Sequence, residues 1–142
     1  MAKKVRVEMD QLRWAFEQHD GEWEWIFDTE TGAVFRLTEE DEPPLPIKQI
    51  EDDETGRFLS IEPDDPHEGY RDMEDFITTV REPVLRDLLS IALAGKGPFR
   101  RFKDALVRSP EERQRWFRFQ EARLDARIRE WLAENDIEPL AG

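Results

Sequence analysis

Two spacings of apolar residues divide the chain. The first part alternates, and the second repeats every three to four positions. "VRVEM" (5–9) alternates and predicts a short strand, and Asp10 reads as the N-cap of a helix over "QLRWAFEQH", with Leu12, Ala15, Phe16 and His19 on one side and Gly21 at its end. "EWEWIFD" sets Trp23, Trp25 and Phe27 on one face of a strand, "TETG" predicts a turn, and "AVFRLT" predicts the returning strand of a hairpin. "EEDEPPLP" (39–46) predicts a loop, because acidic residues and three prolines cannot continue a ladder. "IKQIE" is expected as a third strand, "DDETG" as a turn and "RFLSIE" as a fourth strand. The segments "DTETGAVFRL" (28–37) and "DDETGRFLSI" (52–61) share D-x-E-T-G before an alternating run. They predict two similar hairpin tips at one end of a meander.

Beyond "PDDPHEG" the spacing becomes helical. Tyr70, Met73, Ile77 and Val80 share one face, and Pro83 opens a helix whose "VLRDLLSIALA" is apolar almost all round, which predicts the most buried helix. Gly95 closes it, and Pro98 opens the next, with Phe99, Phe102 and Leu106 as its inner stripe. "SPEER" starts a long helix to about residue 135, with Phe117, Leu124, Ile128, Trp131 and Leu132 on one face. The expected fold class is α+β: a small antiparallel meander of three to four strands packed against a helical C-terminal half. The expected organisation is a single domain over 1–142, sheet-rich to about 65 and helical over about 66–135, with a short C-terminal tail.

Composition narrows the chemistry. The 142 residues are 38% hydrophobic and 39% charged, and five Trp and nine Phe supply what a disordered chain lacks. There is no cysteine, so disulfides, zinc–thiolate sites and thiol nucleophiles are ruled out. No apolar run has the length of a membrane span and the start has no signal-peptide core, so a cytoplasmic location without membrane partners is expected. The formal net charge is −13, but residues 96–118 hold eight basic and three acidic side chains. An acidic protein with a pI near 4.6 repels nucleic acid except through that local strip.

Within "GKGPFRRFKDAL" (95–106), Lys96, Arg100, Arg101 and Lys103 are the candidate binding residues, for a phosphate ligand or a nucleic acid. The P-loop pattern is absent, since one lysine lies between two glycines after a predicted helix. The plainer expectation is a helix corner whose arginines pair with carboxylates, Arg100 with Asp104 among them. Arg123 and Arg127 are placed beside Trp116, a candidate stacking platform. Glu121 falls inside the predicted apolar stripe, where an ionised carboxylate needs a partner such as Arg101 or Arg113. The turn acids Asp28, Glu30, Asp52 and Glu54 are a candidate cation cluster, but no EF-hand spacing accompanies them, and they are expected to splay into water. His19 and His67 are isolated, the acidic runs read as solvated surface, and neither a metal nor a cofactor is expected.

The stretches "DTETGAVFRL", "GYRDMEDFI", "LLSIALAGKGPFRRFKDAL" and "RWFRFQEARLDARIREWL" resemble an uncharacterised bacterial protein family of the UPF series. The resemblance implies a cytosolic bacterial protein and a stable domain unit, and carries no catalytic residues with it. The expected function is therefore non-enzymatic binding or regulation, with the helical half contacting a protein partner or a second copy. Trp14, Trp116 and Trp131 are the expected exposed anchors. Nucleic-acid or phosphate binding through the basic segment is the alternative, and an enzyme using carboxylates or a metal ranks below both.

Overall fold

The structure, a computed structural model, describes residues 3–17, 24–37, 46–63 and 65–140. Gly21, Trp23, His19 and most of the acidic–proline loop lie outside the described residues. The chain forms two compact units, Met1–Asp64 with Asp125–Gly142, and Asp65–Leu124. The fold class is α+β, with a helical C-terminal half.

In the first unit, β2 (Glu24–Asp28) is the middle of a three-stranded antiparallel sheet, between β3 (Val34–Leu37) and β4 (Phe58–Ile61). Successive residues of a strand point to opposite faces, yet Ile26 and Phe27 are both buried, as a covered middle strand requires. The sheet order is thus β3–β2–β4: the hairpin puts β3 on one edge, and the chain returns to add β4 on the other. The segment 47–51 is not the expected strand. It is a short helix, α2 (Ile47–Glu51), entered through Pro46, whose carbonyl accepts from the Gln49 and Ile50 amides. Only Ile50 of the segment is buried, and a single inward residue does not need the two-residue period of a strand.

The expected first strand starts earlier than its alternation implies. β1 (Lys3–Val5) pairs in parallel with β5 (Ile137–Pro139), so the predicted tail is part of the sheet structure. The turn into β5 puts Asp136 at φ 56, a left-handed conformation that Asp tolerates better than most residues. α1 (Met9–Glu17) buries Leu12, Ala15 and Phe16 as its spacing predicts. The Phe16 and Phe27 rings meet Trp131 edge-on, at 5.7 and 5.9 Å between centroids, so Trp131 is a packing residue and not a free anchor.

The second unit is helical: α3 (Pro66–Ile77), α4 (Pro83–Ala94), α5 (Pro98–Leu106) and the first part of α6 (Pro110–Glu134). The prolines sit at helix starts, where their missing N–H costs nothing. Asp65 caps α3 through the His67 amide, and Glu82 caps α4 through the amides of Val84 and Leu85. The core joins Met73, Phe76, Val80, Leu89, Phe102 and Trp116. Asp72 is buried beside it and accepts a 3.2 Å bond from Arg123, whose other nitrogen bonds Asp75. Replacing Arg123 with Ala should cost about 1–2 kcal/mol, because Asp72 loses a charge-assisted bond while remaining buried. Chemical denaturation of Arg123→Ala against Arg123→Lys measures it, with lysine restoring only part of the loss.

Two expectations about burial fail in this unit. α4 is not buried all round: Leu85, Leu89, Ala92 and Leu93 face inward, but Val84, Leu88 and Ile91 are 66%, 51% and 66% exposed. On α6, the buried positions Trp116, Leu124, Ile128 and Leu132 all lie on one four-residue spacing. A four-residue step advances about 40° around a helix of 3.6 residues per turn, so the buried stripe winds around α6 and does not stay on one side of the wheel. Glu121 and Phe117 lie off that winding stripe and are exposed.

Candidate functional site

The end of the sheet where both D-x-E-T-G turns meet was one candidate. Asp28 pairs with Phe58 across β2 and β4, so the turns do lie at the same end, and Gly32 and Gly56 have φ of 78° and 81°. Glu30, Asp52 and Glu54 are exposed as expected, and Asp28 is the exception. Asp28 is 3% exposed, accepts from the Glu30 amide, and binds Arg57 through both oxygens at 3.0 Å. In the second turn Asp53, not Asp52, does the holding, accepting from Thr55, Arg57 and Phe58 amides. The shared motif therefore builds two different turns, and a guanidinium neutralises the one buried acid. Among the described residues no three His, Asp or Glu side chains converge as a metal cage.

The basic segment has a different fate. Gly97, at φ 63, leads into Pro98 and α5, and no side chain caps that start. Gly95 is extended, not left-handed, and the Arg101 side chain lies against it: a Cβ there would come within 2.2 Å of its guanidinium. Lys96, Arg100, Arg101 and Lys103 are exposed, as are Arg108 and Arg118. None of the six forms an ion pair among the described residues, and the expected Arg100–Asp104 pair is absent. Six unpaired cations on one short stretch are unusual in a chain of net charge −13, where carboxylates are plentiful.

Beside this strip lies a groove of about 220 Å³ between the end of α5 and the start of α6. Lys103, Asp104 and Val107 line one side, Arg113 and Phe117 the other, and Leu106 and Trp116 also line it. Val107 and Phe117 are exposed, and Arg113 lies over the Phe117 ring at 5.3 Å. Trp116 is buried against Phe76, Phe102 and Phe119, with ring separations of 5.2, 4.8 and 6.2 Å. Its indole N–H makes no hydrogen bond among the described residues.

The predicted site residues thus separate. Lys96, Arg100, Arg101 and Lys103 are all exposed, on α5 and the turn before it. Trp116 is no exposed platform, because the aromatic cluster of the core holds it. Arg123 belongs to the Asp72–Asp75 pairing and lies over Phe119 instead. Arg127 is half-buried in the first unit, whereas Trp116 belongs to the second. Glu121 is exposed, and neither Arg101 nor Arg113 forms an ion pair with it. Trp14 is exposed as expected and lines a groove of about 320 Å³ with Trp25, Asp10, Gln11 and Val34. Arg113, Val107 and Phe117 were missed as a set. Their signal was local: an apolar residue just past the α5 stripe, then Arg and Phe four residues apart.

Comparison with known proteins bears on this arrangement. The profile of the Uncharacterised protein family (UPF0158) matches residues 3–142. The chain belongs to this family. A UPF0158 protein of Pseudomonas aeruginosa is 30% identical over 139 residues, which is 98% of this chain and 89% of the relative. The family resemblance seen in the sequence is therefore correct, and it extends through both units. No solved structure matches the chain. Among the described residues no helix is long and apolar enough to cross a membrane.

Proposed function

We propose that this UPF0158 member is a non-enzymatic, cytosolic binding protein whose helical unit takes an acidic segment of a protein partner. The observation that carries the reading is the groove between α5 and α6, lined by the cations Lys103 and Arg113, by Leu106, Val107, Trp116 and Phe117, and by one carboxylate, Asp104. Val107 and Phe117 offer a seat for an aliphatic or aromatic side chain. Lys103 and Arg113 stand at its rim, with Arg100 and Lys96 further along the strip. Unpaired cations steer an anionic partner and set its orientation more than they set its affinity. The first unit holds 9 basic and 23 acidic residues, so it repels such a partner and leaves the helical unit as the face that accepts it.

A nucleic acid is the second reading, and the same six cations favour it. The two are separated by what the groove adds. A phosphate backbone uses charge alone, whereas a protein segment also uses Val107 and Phe117. Fluorescence anisotropy with a labelled peptide of glutamate, leucine and phenylalanine, and with single-stranded RNA, tests this. Val107→Ala with Phe117→Ala should weaken the peptide at least tenfold, and Arg100→Glu with Lys103→Glu should do the same and remove most of the salt dependence. RNA bound tightly, losing affinity in the charge variants but not in the apolar ones, would contradict the reading and support the second.

A further inference from the structure

The groove between α5 and α6 is small for a segment of chain that passes through it. Its volume is about 220 Å³. A cavity of about 150 Å³ holds a benzene ring, and sites for drug-sized ligands begin near about 300 Å³. The groove therefore has room for one side chain and one small polar group. The helices are joined through residues 107–109, and the Ser109 amide donates back to the Leu106 carbonyl, so the chain turns tightly there. Val107 belongs to that corner and lines the groove, so a segment running along α5 toward it meets the connecting turn.

The lining asks for an apolar side chain and a negative charge in this one space. Val107 and Phe117 supply the apolar seat, with the cations Lys103 and Arg113 on the two helices beside it. A residue with an apolar side chain carries a negative charge only on its α-carboxylate, and in a protein only the last residue has one. We infer, on the proposed reading of the groove as the binding face, that it takes the C-terminal residue of the partner, an aliphatic or aromatic one whose free carboxylate lies between Lys103 and Arg113. The two oxygens match the fork of the Arg113 guanidinium, and Lys103 adds a point charge. Arg113, Lys103 and Asp104 form no ion pair among the described residues, so none is already engaged. The one carboxylate of the lining, Asp104, repels a second anion but accepts the amide N–H that a terminal residue also brings. Trp116 is 3% exposed and its indole N–H has no partner among the described residues. Buried donors are ordinarily bonded, and a carboxylate oxygen is an acceptor that such a ligand adds. Arg100 precedes Lys103 and Val107 by three and seven positions and so shares their face of α5, where it meets acidic residues ahead of the terminal one.

Calorimetric titration of the full chain with three N-acetylated peptides tests this. They are Glu-Glu-Glu-Leu-Phe with a free carboxylate, the same peptide as its C-terminal amide, and the same sequence extended past phenylalanine by Gly-Gly. The free acid should bind at least tenfold more tightly than the other two. In Arg113→Gln that advantage should shrink to about threefold or less, with helical circular dichroism unchanged. Equal affinity for all three peptides would overturn the inference and leave the groove as a site for an internal acidic segment. Binding of none would overturn the groove reading together with it. An advantage that persists in Arg113→Gln would place the carboxylate elsewhere and overturn it too. So would free phenylalanine bound more tightly than N-acetylphenylalanine, which would make the groove an amino-acid site with the ammonium on Asp104.

Discussion

Gly32→Ala should destabilise the protein by roughly 3 kcal/mol or more, and Gly56→Ala by only about 1 kcal/mol, although both glycines end the same D-x-E-T-G motif. Both have positive φ, so any Cβ meets the usual left-handed cost. At Gly56 that is all, because no atom of the described residues lies within 4 Å of the added carbon. At Gly32 the carbon would fall 1.9 Å from the Arg6 carbonyl oxygen and 3.2 Å from a Val5 methyl. A backbone oxygen cannot swing aside as a side chain can, so the 28–33 turn and the β1 region would have to part. Parallel urea titrations of the two variants measure the difference. Equal losses would mean that the close approach of residue 6 to the turn is not present in solution.

Replacement of Asp28 should be the most costly change among the acidic residues. Burial alone pushes its carboxyl toward the neutral form. The Arg57 hydrogen bonds, the Glu30 amide, the Thr31 hydroxyl and the Arg57 charge together outweigh burial and hold it below its ordinary 3.8. A group whose folded pKa is depressed stabilises the fold above the unfolded pKa and loses that contribution as pH falls through the folded one. Asp28→Ala should therefore cost roughly 2–3 kcal/mol at neutral pH, and Asp28→Asn less, since an amide oxygen still accepts from Glu30. The gap between wild type and Asp28→Asn should narrow as pH drops below 3.8. Arg57→Ala should be destabilising in the same sense, and its effect should not add to that of Asp28→Ala because the two form one pair. A gap that stays constant through the acid range would mean that Asp28 is not ionised against Arg57.

Much of the fold was legible because local rules and tertiary structure agree. Pro83, Pro98 and Pro110 each open the helix that their position announces, whereas Pro66 opens α3 inside the segment expected to be a loop. The turn glycines have the conformations that the motif demands. Failures arose where a pattern has two physical solutions. "IKQIE" places two isoleucines three apart, which a short helix accommodates as readily as a strand. The stripe of α6 winds by four-residue steps, so a wheel that averages over the whole helix puts Glu121 inside and Trp116 outside, the reverse of the structure. Periodicity shows which residues of α4 are apolar but not which of them another surface covers. That is why Val84, Leu88 and Ile91 read as core. For the candidate site, the four cations of residues 96–103 were visible as a composition shift. The groove beside them was not, because Val107, Arg113 and Phe117 meet only when α5 and α6 fold together.

The proposed groove is tested most directly at the Trp116 indole. Its N–H makes no hydrogen bond among the described residues, and Trp116 lines the groove with Lys103 and Arg113. In an NMR titration of isotope-labelled protein with the glutamate–leucine–phenylalanine peptide, the Trp116 indole signal, assigned with Trp116→Phe, should move together with the Val107 and Phe117 amides. The Trp14 and Trp25 indole signals of the first unit should stay in place. A Trp116 signal unmoved at saturating peptide, or shifts confined to the first unit, would contradict binding in the groove.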